Sequence, residues 1–339
     1  MAKHNLISID LAKNVFQVCG VTRHQKITFN KALRRRELAE FMANQVPVDV
    51  AMEACYSSHY WARCFQEMGH NVSLLPAQHV SPFVRGNKSD HNDAIAIAEA
   101  ARRPNIIPVP IKSLEQQDIQ SLHRLRERNV SSRTGLTNQA RGLLSEYGIV
   151  APQGHKSFCQ LIQDVIDPSN TDLSAPLKIQ LKNVVDDYYN LTDRVTEINE
   201  QLAQIAKTNP LCSLLLSIPG IGVINATAIY SAIGDGSQFN SGREFAVWLG
   251  LTPRTASSGE KFKSAGITKR GNCYLRKQLV HGARAALSRC KNKTDRLSCW
   301  ANQLLARRGQ QKACVAMAAR MARIAWVLLS RQEMYKAIP

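Results

Sequence analysis

Short apolar runs and amphipathic stretches alternate along the first third of the chain. Leu6–Ile9, Val15–Val21 and Val46–Met52 are rich in β-branched residues and predict buried strands. Ile27–Phe29 and Val72–Leu75 predict two more strands, the second of which ends at a proline. The apolar pattern therefore predicts a sheet in this region.

Helical spacing fills the intervals between these strands. It predicts helices at Arg34–Ala43, Ser57–Met68 and Asn92–Arg102, and Pro104 ends the last of them. Strands that first form a meander and then alternate with helices indicate a mixed sheet with helices packed on it. We therefore predict an α/β domain over residues 1–112.

The middle of the chain has a helical pattern. Residues 113–147 contain no proline and predict one long helix, whereas residues 148–176 contain several prolines and predict a connector. Beyond it, apolar residues recur at alternating spacings of four and three, at Leu177, Leu181, Val184, Tyr188, Leu191, Val195, Ile198, Leu202 and Ile205. This a/d seam is typical of a left-handed coiled coil.

A seam this narrow needs a partner helix, either from within the chain or from a second copy. A second copy is favoured, because residues 113–147 offer no matching seam. We therefore predict that residues 113–210 form a coiled-coil region that assembles the chain into a homo-oligomer, a dimer or a tetramer.

The last part of the chain is helical and strongly basic. Helical patterns predict an all-α C-terminal domain over residues 211–339, with helices that include 242–249, 272–289, 296–308 and 311–331. The formal net charge of the chain is +18, of which residues 1–239 contribute +2 and residues 240–339 contribute +16. A field of one sign and this size favours a nucleic-acid partner over a merely solvated surface.

We expect a cytoplasmic protein without a membrane partner. The sequence has no uninterrupted run of about 18 apolar residues and no apolar leader at its start. Its nine cysteines form no C-x-x-C pair and no zinc-like cluster, which favours reduced thiols in a reducing compartment.

Four acidic residues lie at the ends of predicted elements. Asp10 and Glu53 end two strands, and Asp90 and Asp93 stand at the start of a helix. Each has an ordinary explanation when taken alone, such as a helix cap at Asp90. Together, carboxylates that converge at strand ends predict a site for Mg²⁺, with Mn²⁺ as an alternative ion. Two such ions can stabilise the attacking and leaving oxygens of a phosphodiester displacement.

These acids lie in motifs that resemble the N-terminal domain of DEDD-type insertion-sequence transposases, a family that includes the Piv DNA invertases. The motifs are Ile9–Lys13, Met52–Ala54 and Lys88–Ala94. The resemblance implies an RNase H-like fold similar to that of the RuvC resolvase, and it implies that Asp10, Glu53, Asp90 and Asp93 are the metal-binding tetrad. One departure is Ala54-Cys55, where members of the family often have Thr-Gly after the glutamate.

A Pro-Gly-Ile-Gly turn at residues 219–222 separates two apolar helical runs. It looks like a helix-hairpin-helix, in which Gly220 and Gly222 let the turn approach a phosphate at a helix N-terminus. An ordinary αα-hairpin has the same pattern, and the basic context favours the DNA-binding interpretation.

Residues 250–261 and 266–277 combine glycines, serines and cations. A Ser-Ser-Gly sequence by itself predicts a loop. A hydroxyl in an electropositive loop can also attack a phosphodiester if a base or a metal activates it.

Both stretches resemble the C-terminal signature of the same transposase family, through Leu251–Arg254, the Ser-Gly pair at 258–259 and Lys269–Asn272. The resemblance implies that Ser258 is the nucleophile that links covalently to a DNA end, with Ser257 as the lesser candidate. The predicted nucleic-acid contacts in this region are Arg254, Lys261, Lys269, Arg270, Arg276 and Lys277.

We predict a transposase or site-specific recombinase that acts on double-stranded DNA through a 5′-phosphoserine intermediate. Two alternatives stay open: a Mg²⁺-dependent junction nuclease without a covalent intermediate, and a non-catalytic nucleic-acid-binding protein. Closely related family members use a structured RNA that pairs with donor and target DNA, so the resemblance makes a guide RNA a candidate partner. Its candidate contacts are Arg124, Arg126, Arg128 and Arg133.

Overall fold

The computed structural model describes residues 4–87, 89–167, 173–258 and 261–338. Within these, the side chains of residues 155, 255–258 and 261–265 lie outside the description. The chain divides into two compact units, residues 1–113 and residues 114–339. The first boundary therefore lies one residue from the predicted one, and the predicted middle region shares one unit with the basic C-terminal helices.

The first unit is built on a five-stranded mixed sheet of order β3-β2-β1-β4-β5. Its strands are β1 (Leu6–Asp10), β2 (Val15–Val21), β3 (Ile27–Arg34), β4 (Asp49–Glu53) and β5 (Asn71–Leu75). The first three form an antiparallel meander, and β4 and β5 run parallel to β1. This confirms the predicted mixed α/β class and is consistent with the RNase H-like architecture that the resemblance implies.

Helices cover both faces of the sheet. They are α1 (Arg35–Ala43), α2 (Ser58–Glu67), the short α3 (Ala77–Val80) and α4 (Asp90–Ala101). Because side chains alternate along a strand, Ile7 and Ile9 pack on one face with α1 and α2, and Leu6 packs on the other with α4. The sheet is therefore buried on both sides, and its strand ends are left free for a site.

The described residues of the second unit are helical apart from one hairpin of two strands. Its helices are α5 (Leu114–Ser145), α6 (His155–Ile166), α7 (Ala175–Thr208), α8 (Pro210–Leu216), α9 (Val223–Ile233), α10 (Gly242–Trp248), α11 (Cys273–Ser288) and α12 (Arg296–Arg331). The hairpin is formed by β6 (Pro253–Ser258) and β7 (Lys261–Ile267). Helix α12 breaks at Gly309, where φ is +73°, between the two helices that the sequence predicts.

The apolar seam of α7 is covered from within the chain. Near one end of α7, Leu181 and Tyr188 pack with Leu144 of α5 and Phe158 of α6. Towards its other end, Ile198 and Leu202 pack with Ile119 of α5. The expectation that a second copy supplies the partner of this seam is therefore wrong, because α5 runs antiparallel to α7 and buries it.

Two arginines of α5 explain why no matching seam is visible in its sequence. Arg126 donates to Asn199 at 2.7 Å and Arg133 donates to Thr192 at 3.2 Å, so polar pairs supplement a sparse set of apolar contacts. Helix α6, which lies in the predicted connector, adds further cover through a face that includes Phe158 and Ile162. The prolines that suggested a connector flank this helix.

By length and composition alone, α12 is apolar enough to cross a membrane. Half of its apolar window is buried inside the protein, however. Ala313, Met317, Met321 and Ala325 are 0% exposed and belong to the core of the second unit. Its apolar residues are thus accounted for by packing against its neighbours.

The turn between α8 and α9 packs tightly on α11. A Cβ on Gly220 would lie 2.6 Å from the carbonyl oxygen of Gly282, and a Cβ on Gly282 would lie 2.2 Å from that of Gly220. Gly220 also has a φ of +88°, which side-chain-bearing residues rarely adopt. These two glycines let the backbones of the turn and of α11 touch.

We predict that Gly282→Ala lowers the free energy of unfolding by about 2 kcal/mol, because the new methyl group meets backbone that cannot move aside. Urea denaturation followed by circular dichroism measures the change. Gly135→Ala in α5 is the matched control, since a Cβ there meets nothing within 4 Å. The control is expected to raise stability by up to about 1 kcal/mol, and equal effects of the two substitutions would refute the packing argument.

Candidate functional site

Two acidic residues end adjacent parallel strands of the sheet. Strands β1 and β4 are paired in parallel from Leu6 with Asp49 to Ile9 with Met52. Asp10 and Glu53 are the next residues on the two strands, so they stand side by side at one edge of the sheet. The sequence prediction that these strand-end acids converge is supported by this register.

Helix α4 adds two more acids at the same edge. Alternation along β1 directs Ser8 and Asp10 to the face that α4 covers. The hydroxyl of Ser8 is buried and donates to the carbonyl oxygen of Ala94 at 2.6 Å, which ties the first turn of α4 to the strand. Asp93 precedes Ala94 directly, so this hydrogen bond positions its carboxylate beside the end of β1.

The N-terminus of α4 is capped by Ser89 and not by the neighbouring aspartate. The Ser89 hydroxyl accepts a hydrogen bond from the backbone N–H of Asn92 at 3.3 Å. The explanation of Asp90 as the helix cap is thereby removed, because another residue fills that position. Asp90 is exposed, whereas Asp93 is partly buried.

The carboxylates of Asp10, Asp90 and Asp93 form one cluster. One oxygen from each lies within 4.8 Å of the other two. Such spacing lets three carboxylates share a cation, and oxygen donors are the ligands that Mg²⁺ and Mn²⁺ prefer. The structure therefore places three of the four predicted acids close enough to bind one cation.

Burial and the charges of its neighbours both disfavour the ionised form of Asp10. The pKa of Asp10 is raised from 3.8 to about 6, by burial first and then by the charges of Asp93, Asp90 and Glu53. Glu53 contributes to this shift, which is consistent with its place beside Asp10 at the end of β4. Burial, followed by the charges of Glu53 and Asp10, also raises the pKa of the nearby Cys55 thiol to about 11. A site with these properties fits a divalent cation, which would offset the repulsion.

The second predicted centre is a β-hairpin and not a loop. Ser257 pairs with Phe262 and Ser258 pairs with Lys261, so both serines are the final residues of β6. Sequence reasoning missed the strands because a Ser-Ser-Gly stretch is a turn signal when read locally. The side chains of Ser257, Ser258 and Lys261 lie outside the described residues.

The base of the hairpin joins the two C-terminal motifs. Lys269 donates its backbone N–H to the carbonyl oxygen of Gly250 at 3.2 Å. A Cβ on Gly250 would lie 2.1 Å from the carbonyl oxygen of Arg270, and one on Gly271 would lie 1.8 Å from that of Trp248. The glycines of both motifs therefore allow the backbone at residues 248–250 to contact the backbone at residues 270–271, next to the base of the hairpin.

The predicted nucleic-acid contacts in this region fall into two groups. Arg254, Lys269 and Arg270 are exposed. Arg276 donates instead to the carbonyl oxygens of Leu249 at 2.9 Å and of Arg270 at 3.1 Å. Its guanidinium thus fastens the end of α10 to the basic loop.

Lys277 is also engaged within the protein. Its ammonium group forms an ion pair with Glu127 of α5. Among the candidate RNA contacts, Arg126 and Arg133 bind α7, whereas Arg124 and Arg128 are exposed. These paired cations are explained by contacts within the second unit.

The two glycines of the predicted helix-hairpin-helix differ in their surroundings. Gly220 faces Gly282 and Ala286 of α11, so its missing side chain serves packing within the protein. Gly222 is exposed, precedes α9 and has open space at its Cβ position. Of the pair, Gly222 alone is placed where a phosphate can approach.

A buried polar cluster in the second unit has no signal in the sequence. His123 of α5 lies 2.9 Å from the hydroxyl of Tyr274 and 3.0 Å from that of Thr227. Burial, followed by the charge of Arg126, lowers the pKa of His123 to about 4, so the ring is neutral at pH 7. The three residues come from helices far apart in sequence, which is why local patterns could not group them.

Comparison with known proteins finds relatives over nearly the whole chain. Residues 7–149 match a family described as Transposase, of the DEDD IS110 type, and residues 212–298 match the family described as Transposase IS116/IS110/IS902. A probable family 20 transposase of Pseudomonas aeruginosa is 44% identical over 331 residues, covering 97% of this chain and 98% of the relative.

Two further relatives extend the comparison. The transposase for insertion sequence element IS1111A of Coxiella burnetii is 41% identical, over 98% of this chain and 91% of the relative. A pilin gene-inverting protein of Moraxella bovis is 27% identical, over 80% of each chain. The two family matches span the residues of the acidic cluster and of the serine hairpin.

The repulsion at the acidic cluster predicts a stability change. Because the folded-state pKa of Asp10, about 6, exceeds its ordinary value of 3.8, the folded protein binds more protons between these values and loses stability as the pH rises. Asp10→Asn should therefore stabilise the metal-free protein at pH 7 by about 1 kcal/mol, allowing for partial solvent screening.

Urea denaturation in the presence of a chelator tests this prediction, and the gain should shrink as the pH falls from about 7 towards 4.5. Asp186→Asn, at an exposed position of α7, is the control and should have little effect. A destabilising effect of Asp10→Asn at pH 7 would show that the carboxylate is not under repulsion.

Proposed function

The chain belongs to the IS116/IS110/IS902 family of transposases, enzymes that cut and rejoin DNA, and on that premise we propose that it exchanges strands of double-stranded DNA by using the four acids and Ser258. The observation that carries this proposal is the cluster of Asp10, Asp90 and Asp93, with oxygens within 4.8 Å of one another. An RNase H-like sheet with acids at its strand ends is suited to phosphodiester chemistry.

We propose that Asp10, Glu53, Asp90 and Asp93 hold Mg²⁺, or Mn²⁺ in its place. Support comes from the oxygen-only donor set and from the raised pKa of Asp10, which reflects burial first and then the negative charges of the neighbouring carboxylates. When bound, the cation supplies charge stabilisation to phosphate oxygens. The hydrogen bond from Ser8 to Ala94 would keep Asp93 in place as a ligand.

The serine step follows from the same proposal. The Ser258 hydroxyl oxygen attacks the phosphorus of the scissile bond, and the bond from phosphorus to the 3′ oxygen breaks. The serine proton passes to a base, and the 3′ oxygen leaves as a hydroxyl group after taking up a proton. The 5′-phosphoserine is then attacked by the 3′ hydroxyl of another strand, which restores the serine and completes strand exchange.

Ser258→Ala is predicted to abolish the covalent protein–DNA adduct and strand exchange, while DNA binding persists. Incubation with plasmid DNA that carries the ends of the encoding element, followed by denaturing electrophoresis and mass spectrometry of the adduct, measures this. Ser257→Ala is the matched control at the adjacent position of β6 and should retain the adduct. Asp10→Asn, or removal of divalent cations, should also prevent adduct formation without loss of binding.

Each departure from this pattern has a definite meaning. Loss of the adduct in Ser257→Ala but not in Ser258→Ala would assign the nucleophile to Ser257. Metal-dependent cutting that survives both serine substitutions would support a junction nuclease without a covalent intermediate. Full recombination by Asp10→Asn would overturn the metal assignment.

We further propose that two or more copies of this cytoplasmic protein assemble on DNA, and that a structured RNA guides them. Joining two duplexes requires two DNA ends to be held together. One chain has a single proposed serine nucleophile and can hold only one DNA end covalently, so a second copy is needed for the other end. The exposed Arg124 and Arg128 of α5 leave cations available for RNA phosphates.

Sequencing of nucleic acid that co-purifies with the protein from cells carrying the element tests the RNA proposal. A discrete small RNA that maps to the element is expected, and Arg124→Ala with Arg128→Ala should reduce its recovery. Asp186→Ala serves as a control at an exposed position of α7. Recovery of heterogeneous cellular RNA, or of none, would contradict guidance and leave the strand-exchange proposal intact.

A further inference from the structure

Helix α10 presents two exposed apolar side chains next to the basic loop at residues 269–271. Val247 is 50% exposed and Trp248 is 37% exposed. On its inner side, Trp248 stacks on Phe245, with ring centroids 6.0 Å apart and an interplanar angle of 25°. Phe239 contacts the same indole at a centroid distance of 5.8 Å. The indole is held by two aromatic rings while part of it remains open to solvent.

The backbone contacts described above fix the end of α10, which carries this indole, against the basic loop. Gly271 touches the carbonyl group of Trp248 itself, and Arg276 bridges the carbonyl groups of Leu249 and Arg270. The end of α10 and the loop thus form one rigid feature. We call this feature, residues 247–250 with residues 269–271, the Trp248 platform.

The surroundings of the Trp248 platform are cationic. Lys269 and Arg270 are exposed, and so is Arg254 at the start of the serine hairpin. The acid one turn earlier on α10, Glu244, is engaged by the backbone N–H of Asn240 at 2.8 Å. An exposed aromatic ring on a helix whose end contacts a loop with exposed cations is complementary to a nucleotide, which has a flat apolar base and an anionic backbone.

We propose that Trp248 stacks on an unpaired DNA base while Lys269 and Arg270 hold the adjoining phosphates. This inference rests on the proposed function and adds the form of DNA that the C-terminal unit prefers. A paired base inside a duplex has both faces covered by its neighbours, so an indole can stack on it only after the strands separate. Strand exchange requires such separation at the cut site, and the strand that ends in Ser258 begins at Pro253, three residues after Gly250 of the platform.

Binding of two labelled DNA molecules tests this inference. One is a fully paired duplex of arbitrary sequence, and the other is the same duplex with a central bubble of about six unpaired positions. Fluorescence anisotropy at constant salt, in the presence of a chelator, gives both affinities for the full-length protein. We expect Trp248→Leu to weaken binding to the bubble about tenfold and to the duplex less than about twofold.

Three variants complete the design. Trp248→Phe keeps an aromatic ring and should recover most of the affinity for the bubble, which separates stacking from a loss of folding. Arg270→Ala should weaken binding to the bubble and to the duplex to a similar extent, because both DNA molecules offer phosphates for this contact. Tyr189→Ala, at a residue 47% exposed on α7, should change neither affinity.

Several outcomes would overturn the inference. A wild-type protein that binds bubble and duplex equally, or a Trp248→Leu variant that binds both molecules as the wild type does, rules out stacking. If Arg270→Ala still weakens binding in that case, the C-terminal unit remains the DNA-binding surface and the stacking alone fails. If neither Trp248→Leu nor Arg270→Ala changes binding, the proposed DNA surface fails with it.

Discussion

The burial of mutually repelling carboxylates at one sheet edge is the constraint that the first unit has to satisfy. Asp10 and Glu53 end adjacent parallel strands, and α4 delivers Asp90 and Asp93 to the same place. Burial raises the cost of placing these charges together, as the pKa of about 6 at Asp10 records. Apolar packing on both faces of the sheet and the hydrogen bond from Ser8 of β1 to Ala94 of α4 stabilise the fold and offset this cost. A site built in this way is prepared for a cation.

The second unit depends on a different constraint, which is the close approach of backbones at glycines. Gly220 and Gly282 bring the turn before α9 against α11, and Gly250 and Gly271 bring the end of α10 against the basic loop. Several glycines and cations that the sequence predicts as DNA contacts therefore have structural roles within the protein. Arg276 and Lys277 are fastened to protein partners, whereas Lys269 and Arg270 remain exposed. Separating the cations with protein partners from the exposed ones leaves fewer residues in the proposed DNA-binding surface.

Much of the fold could be predicted from local patterns. Apolar runs located the five strands, because a buried strand needs a continuous or alternating apolar face. The break of α12 at Gly309 could also be predicted from the sequence. Helix α6 was missed because its flanking prolines dominated the pattern, and the serine hairpin was missed because polar strands lack an apolar signal. The partner of the α7 seam was misjudged because α5 covers it with arginine pairs as well as apolar contacts.

The sequence by itself determined where the candidate groups lie along the chain: four acids at predicted element ends, then two serines within a basic region. It could do so because residue type and local spacing carry that information, whereas the catalytic roles proposed for these residues come from the family resemblance. Only the tertiary structure decided which acids place carboxylate oxygens within 4.8 Å of one another, which cations already have partners, and that Trp248 lies exposed on the helix that contacts the basic loop. Those facts depend on strand register and on helix packing between distant segments, which no local pattern specifies.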